Sequence, residues 1–217
     1  MGNDLSVVNA ARVSFDKESD WEVTQYEEGS RDVSISLKES DKKLIKYLAE
    51  HNHWSPFSHA FASFRIKAPI FVARQLVKHT VGLAWNEVSR RYVDSEPEFY
   101  LPEYWRKRAE SVKQGSSDEK AFTSVGNLEA HSENCLKEYQ YLLSQEVCAE
   151  QARMVLPQNT MTEWIWSGSL YAFARVCNLR LDSHTQRETQ KVAQQISLRM
   201  EEIFPVSWGV LVNEHNN

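Results

Sequence analysis

The chain has 217 residues, of which 41% are hydrophobic and 25% charged, with a formal net charge of −5. It is long enough for one domain, or at most two small ones, around a real core. No apolar stretch approaches the ~20 residues that cross a bilayer, and Met1-Gly-Asn-Asp-Leu5 lacks the basic and apolar regions of a secretory signal. A cytoplasmic protein with no membrane partner is therefore expected. Gly2 with Ser6 formally meets the myristoylation pattern, but no polybasic neighbour supports it. The cysteines, Cys135, Cys148 and Cys177, are odd in number and widely separated. They argue for reduced thiols and against a disulfide framework or zinc cluster.

In chain order, Leu5 to Phe15 reads as a short helix leading into an extended piece. Residues 16–41 are polar and acid-rich around Gly29 and read as a flexible insertion. Asp41 is placed to cap a helix through Leu44, Ile45 and Leu48 to about Glu50. His51 to His59 is a loop, because Pro56 biases Ser55 away from helix. Ala60 to Lys67 alternates in polarity and predicts a strand. Pro69 is suited to open a helix and Gly82 to end it. On that helix Arg74 and Lys78, and Gln75 and His79, would form two adjacent polar columns. Pro97 and Pro102 punctuate a second loop, and 114–120 reads as a polar linker. From about Ala121 the pattern is helical over 121–152, 159–178 and 184–203, with breaks at Pro157 and Pro205. One domain over 1–217 with a helix-rich C-terminal half is the expectation.

The run from Arg74 to Tyr92 carries Arg74, Lys78, Arg90 and Arg91 against Glu87, a net of +3 on an acidic chain. Such an island suggests a bound anion and not a nucleic-acid track, and Ser89, Arg90 and Arg91 have donors suited to phosphate. A solvated amphipathic helix is the competing explanation. His51, His53 and His59 have a metal-like spacing, but no neighbouring carboxylate or thiol completes a set, so no metal is expected. Imidazoles touching a planar or anionic ligand, or a structural loop, both fit. Arg153 precedes Pro157 by one turn and is either a ligand contact or a charge placed for the helix dipole. Arg180, between Leu179 and Leu181, would bury its stem and aim its guanidinium at something planar, or pair with Asp182. No GxGxxG or GxxxxGK[ST] motif is present, so arginines must hold any anion. The seven Trp fit core packing or stacking on a flat ligand.

Together, several segments resemble the flavin-dependent thymidylate synthase family. They are Asn3-Asp-Leu-Ser6, Ala10-Ala-Arg-Val-Ser-Phe15, His51 to His59, Lys67 to Gln75, Asn86-Glu-Val-Ser-Arg-Arg-Tyr92, Glu98-Phe-Tyr100, Ala152-Arg-Met-Val-Leu-Pro157 and Asn178-Leu-Arg-Leu-Asp-Ser-His184. The resemblance implies an α+β domain with a twisted, mainly antiparallel sheet, assembled as a homotetramer with sites shared between subunits. It implies conversion of dUMP to dTMP with methylenetetrahydrofolate, and with FAD reduced by NADPH as hydride carrier. By the same resemblance Arg74, Gln75, Glu87, Ser89, Arg90, Arg91, Arg153 and Arg180 hold dUMP. Arg180 is the catalytic group, favouring ionised N3 and pushing electron density toward C5. His53, Ser55, Lys78, His79, Thr80, Asn86, Glu87, Ser169, Tyr171 and Arg175 fall at flavin positions. Ser89 is a binder and not a nucleophile, and no nucleic-acid partner is implied.

Four departures from the family pattern stand out. Lys78-His79-Thr80 replaces Arg-His-Arg, and the gap from there to Ser89 is longer than usual, so Gly82 to Trp85 is expected to bulge. Ser169-Leu-Tyr171 with Arg175 replaces an Asn-x-Arg followed by Asn, and Arg175 is placed to restore the charge lost at Thr80. The first strand usual in the family is not seen upstream of Met1. Three alternatives follow: water in place of hydride giving a hydroxymethylated nucleotide, a nucleotide binder without catalysis, and a metal-dependent hydrolase.

Overall fold

The computed structural model describes residues 2–25, 33–110 and 116–212. Asn3 starts the first helix, α1 (Asp4–Arg12), by accepting the Ser6 N–H while Ser6 accepts the Asn3 N–H. Its Val7 and Val8 are fully buried. The second helix, α2 (Glu39–Glu50), has Lys38 at its cap position, so Asp41 is not the cap. Asp41 lies one turn inside, fully buried, where it takes the Arg12 guanidinium and the Ser19 hydroxyl. A buried carboxylate needs such partners, and these outweigh what an exposed cap would contribute.

Within the segment expected as an insertion, β1 (Glu22–Gln25) and β2 (Val33–Ser36) pair antiparallel, Val23 opposite Ile35. Residues 26–32 lie outside the described residues. The main sheet has the order β3-β7-β4, all antiparallel: β3 (Phe61–Pro69), β7 (Met161–Ser169) and β4 (Leu83–Glu87). The central strand corrects the sequence reading, which ran a helix through 159–178. Trp164, Trp166 and Gly168 are buried while the residues between them are less so, which is the two-residue period of a strand. Trp85 stacks on Trp164 with centroids 4.3 Å apart, and Phe173 meets Trp166 edge-on at 5.4 Å. Aromatic pairing of this kind stabilises a sheet and outweighs local helix propensity.

Helix α3 (Ile70–Leu76) opens after Pro69 as expected but ends at Leu76, well short of Gly82. Lys78 and His79 therefore leave the helix, and the two polar columns do not form. The expected bulge is also absent: β4 pairs with β7 in unbroken register from Leu83 to Glu87. The longer gap is absorbed by the turn over 77–82, where Gly82 has φ +76°, a conformation that favours glycine.

Residues 116–120, expected as a linker, form β6 (Ser116–Lys120), paired with β5 (Arg106–Arg108). The C-terminal half carries α4 (Gly126–Ser144), α5 (Ala149–Ala152), α6 (Leu170–Arg180), α7 (Arg187–Ile203) and α8 (Pro205–Leu211). Pro205 opens α8, since proline's missing N–H costs nothing in a first turn. The amides of Val206 and Ser207 donate to Asp4 at 2.9 Å, joining the last helix to the first. Ile45, Leu76, Leu170, Phe173, Met200 and Phe204 fill the shared core. The result is an α+β domain with antiparallel sheets and a helix-rich C-terminal half. Among the described residues no helix is long and apolar enough to cross a membrane.

Candidate active site

Helix α6 delivers Arg180 at its last turn, and the turn after α3 delivers His79 to meet it. The Arg180 Nε donates to His79 Nε2 at 3.0 Å. Burial pushes the His79 imidazole below its ordinary value, and the charges of Arg180 and Arg175 add to this. The ring is thus neutral at pH 7, with Nε2 the acceptor and the proton on Nδ1. Burial also lowers Arg180, which remains a cation.

Arg180 and Gln75 line one cavity of about 570 Å³, walled by Asn178, Thr185 and Gln186. Both ends of the Gln75 amide are engaged: Nε2 donates to Gln186 and Oε1 accepts from the Thr189 hydroxyl. Behind them Glu188 accepts from Gln186 and from both terminal nitrogens of Arg106. Sequence reasoning missed Gln186, Glu188 and Arg106. The only signal for Gln186 and Glu188 was a cluster of polar residues directly after the Asn178 to His184 segment, and Arg106 had none.

Glu87, Arg90 and Arg153 line a second cavity, of about 440 Å³. Among the described residues it shares no lining residue with the first. Glu87 is held by Thr162 at 2.7 Å and by the Trp85 indole at 3.1 Å. Arg90 donates to the Ser95 carbonyl, and Arg91 donates to Ser89 while lying over the Tyr92 ring. Arg153 bonds the Glu150 carbonyl through Nε at 3.2 Å. Arg74 and Asn86 are exposed on α3 and β4.

A third cavity, of about 300 Å³, brings His53, Trp54, Tyr171 and Arg175 together and shares Asn178 with the first. Lys78 and Thr80 are exposed in the turn after α3, and Ser55 is exposed in the loop after α2. Ser169 is buried, and its hydroxyl caps α6 through the Ala172 N–H. Of the three histidines, His51 stacks on Tyr47 and bonds its carbonyl, while His53 meets Tyr47 edge-on. Among the described residues no three His, Cys, Asp or Glu are placed to hold a metal. Cys177 is buried, which pushes its thiol up to about 12, so it is no nucleophile at neutral pH.

Arginine-lined cavities on an antiparallel α+β scaffold suit a protein that binds a phosphorylated ligand. The family model described as thymidylate synthase complementing protein matches residues 1–206. The chain belongs to this family. It is 39% identical over 209 residues to a flavin-dependent thymidylate synthase of Thermosipho africanus, covering 94% of this chain and 84% of that one. It is 37% identical over 217 residues to that of Kosmotoga olearia, covering 98% and 87%. Among solved structures it resembles a UMP/dUMP methylase, PolB of Streptomyces cacaoi. With 5-Br dUMP bound, that chain gives a TM-score of 0.76 at 30% identity, covering 96% of this chain and 90% of that one. The same protein bound with 5-Br UMP gives 0.78, covering 96% and 88%.

Proposed function

We propose that this protein methylates dUMP to dTMP, taking the carbon from methylenetetrahydrofolate and the hydride, by way of FAD, from NADPH. The observation that carries the reading is the Arg180 guanidinium, locked through Nε onto a neutral histidine in the cavity that also holds Gln75. Its terminal nitrogens are the donors that would meet a ligand there. A fixed cation at the edge of a uracil stabilises an electron-rich, anionic ring, and that electron density is what C5 donates when it attacks the one-carbon unit. Arg90, Arg153 and the Ser89–Arg91 pair supply charge-assisted donors for the nucleotide phosphate. No thiol adduct is invoked, and Ser89 serves as a binder.

The third cavity fits a flat anionic cofactor: Trp54 and Tyr171 lie 6.2 Å apart for ring contacts, and Arg175 is the cation beside them. Bound there, flavin would supply the hydride that completes the methyl group. Of the residues at flavin positions by resemblance, His53, Tyr171 and Arg175 line this cavity; Ser55, Lys78, His79, Thr80, Asn86 and Glu87 lie outside its lining and would reach the cofactor from other parts of the assembly. Ser169 acts through the start of α6. Arg175 replaces the charge missing at Thr80. Arg175→Ala should weaken FAD retention about tenfold, the scale of one charge-assisted hydrogen bond, and unchanged affinity would dispose of that assignment.

Incubation with FAD, NADPH, methylenetetrahydrofolate and dUMP under anaerobic conditions, followed by mass spectrometry of the nucleotide, tests the reading. A dTMP peak supports it; unchanged dUMP or a hydroxymethyl product overturns it. The likeness to a methylase bound with 5-Br UMP favours a second reading, in which UMP is also methylated. The same assay with UMP decides that.

A further inference from the structure

One wall of the Gln75–Arg180 cavity is built from the start of α7, and there the hydrogen bonds run in a single direction. The Glu188 side chain is only 9% exposed. It receives the Arg106 terminal nitrogens at 2.8 and 2.9 Å and the Tyr100 hydroxyl at 3.3 Å. Burial alone would raise its carboxyl, but the Arg106 bonds and charge, with Gln186, outweigh this and hold it below the ordinary carboxylate value. Glu188 is therefore ionised and can only accept. Gln186 must turn its NH₂ toward Glu188, at 3.1 Å, which leaves its carbonyl oxygen facing Gln75. Gln75 must then turn its own NH₂ toward Gln186, and its oxygen meets the Thr189 hydroxyl at 3.2 Å.

An amide is nearly symmetric in shape and has two orientations with opposite hydrogen-bonding character. Here one carboxylate fixes two amides in series. What Gln75 has left for a ligand is one N–H and one lone pair in set positions, beside a guanidinium that can only donate. We propose that Glu188 is a specificity-determining positioning residue. Acting through Gln186 on Gln75, it makes the cavity accept the edge of a 4-oxo pyrimidine and refuse that of a 4-amino one. Neutral uracil and cytosine differ by reversal of donor and acceptor at positions 3 and 4; the relay acts on uracil as it binds, before N3 ionises, and this is the difference that a flipped amide would erase. The inference rests on the reading above, in which Gln75 and Arg180 hold dUMP.

The test is equilibrium binding of dUMP and dCMP to the flavin-loaded protein, with kcat and KM for dUMP alongside. Wild type should prefer dUMP. Glu188→Gln, whose amide lets Gln186 adopt either orientation, should shrink that preference roughly tenfold, the scale of one misdirected buried hydrogen bond. KM for dUMP should rise while kcat changes little. Gln186→Leu, which leaves the Arg106–Glu188 pair intact, should give the same loss, and the double variant no more than either single one. Tyr100→Phe touches Glu188 outside the relay and should keep the wild-type preference. A purely structural role would lower the melting temperature and leave base preference alone. If Gln186→Leu keeps the wild-type ratio, the proposal fails, even should Glu188→Gln not fold. If wild type itself does not bind dUMP, the reading of the activity fails first and the relay's role with it.

Discussion

Arg180 and His79 depend on each other in a way that titration exposes. The histidine accepts a hydrogen bond only while neutral, and burial with two neighbouring arginines keeps it so. In the unfolded chain His79 takes up a proton as pH falls through about 6.5. The folded site resists this until lower pH, so the unfolded state then binds more protons and the fold loses stability on the acid side. The same protonation turns Nε2 into a donor and sets two cations against each other. The acid limb of the kcat/KM profile should therefore have an apparent pKa below the ordinary imidazole value. His79→Gln, whose amide oxygen accepts at any pH, should flatten that limb; an unchanged limb would mean another group titrates. Arg180→Ala should lower kcat by roughly 10²–10³, as removal of one preorganised charge-stabilising group does, with secondary structure by circular dichroism unchanged.

At the scale of elements, the sheet places these residues, and one glycine controls its fit. Gly168, in β7, faces Ala62 on one side and Leu83 on the other. A Cβ there would lie 2.4 Å from the Leu83 side chain and 2.6 Å from the Gly82 carbonyl oxygen. The side chain can rotate away, whereas the backbone oxygen cannot move without shifting the turn that leads from His79 into β4. Gly168→Ala should cost about 1–3 kcal/mol of stability, the usual range for overpacking, and should weaken flavin binding through that turn. Gly209→Ala is the control: no atom lies within 4 Å of its added Cβ, and alanine favours helix. Comparable losses in thermal denaturation of both variants would sink the argument. Gly168 also shows what the sequence hid. Arg180, Gln75 and His53 stood out as candidates because residue type and order carry a family motif. Strand β7 was not, because helix-forming residues before and after it masked an alternation centred on Trp164 and Trp166. The early end of α3 was hidden too, since its cause is the pairing of β4 with β7, a contact between segments far apart in sequence. Glu188 could be read as an acid but not as the anchor of Gln75.

The whole molecule divides what the chemistry needs to unite. Within one chain, Glu87, Arg90 and Arg153 line one cavity, Gln75 and Arg180 another, and His53, Tyr171 and Arg175 a third. The last two meet at Asn178. The cavity of Arg90 and Arg153 stands apart among the described residues, although on the proposed reading one nucleotide would meet those arginines and Arg180. Association of copies would resolve this if the Arg153 cavity of one chain faced the Arg180 cavity of its neighbour, as in the shared-site homotetramer that the family resemblance implies. Each composite site would then draw its guanidinium at the base and its guanidinium at the phosphate from different chains. Arg153→Ala and Arg180→Ala proteins should each be nearly inactive as pure oligomers. Mixed and re-assembled together, they should recover activity, because some sites would then pair an intact Arg153 from one chain with an intact Arg180 from the other. Light scattering would first establish the assembly, and titrating one variant against the other should give a maximum near equal proportions. If both residues of a site came from one chain, no mixture could hold an intact pair, and activity would stay at the level of the separate variants at every ratio.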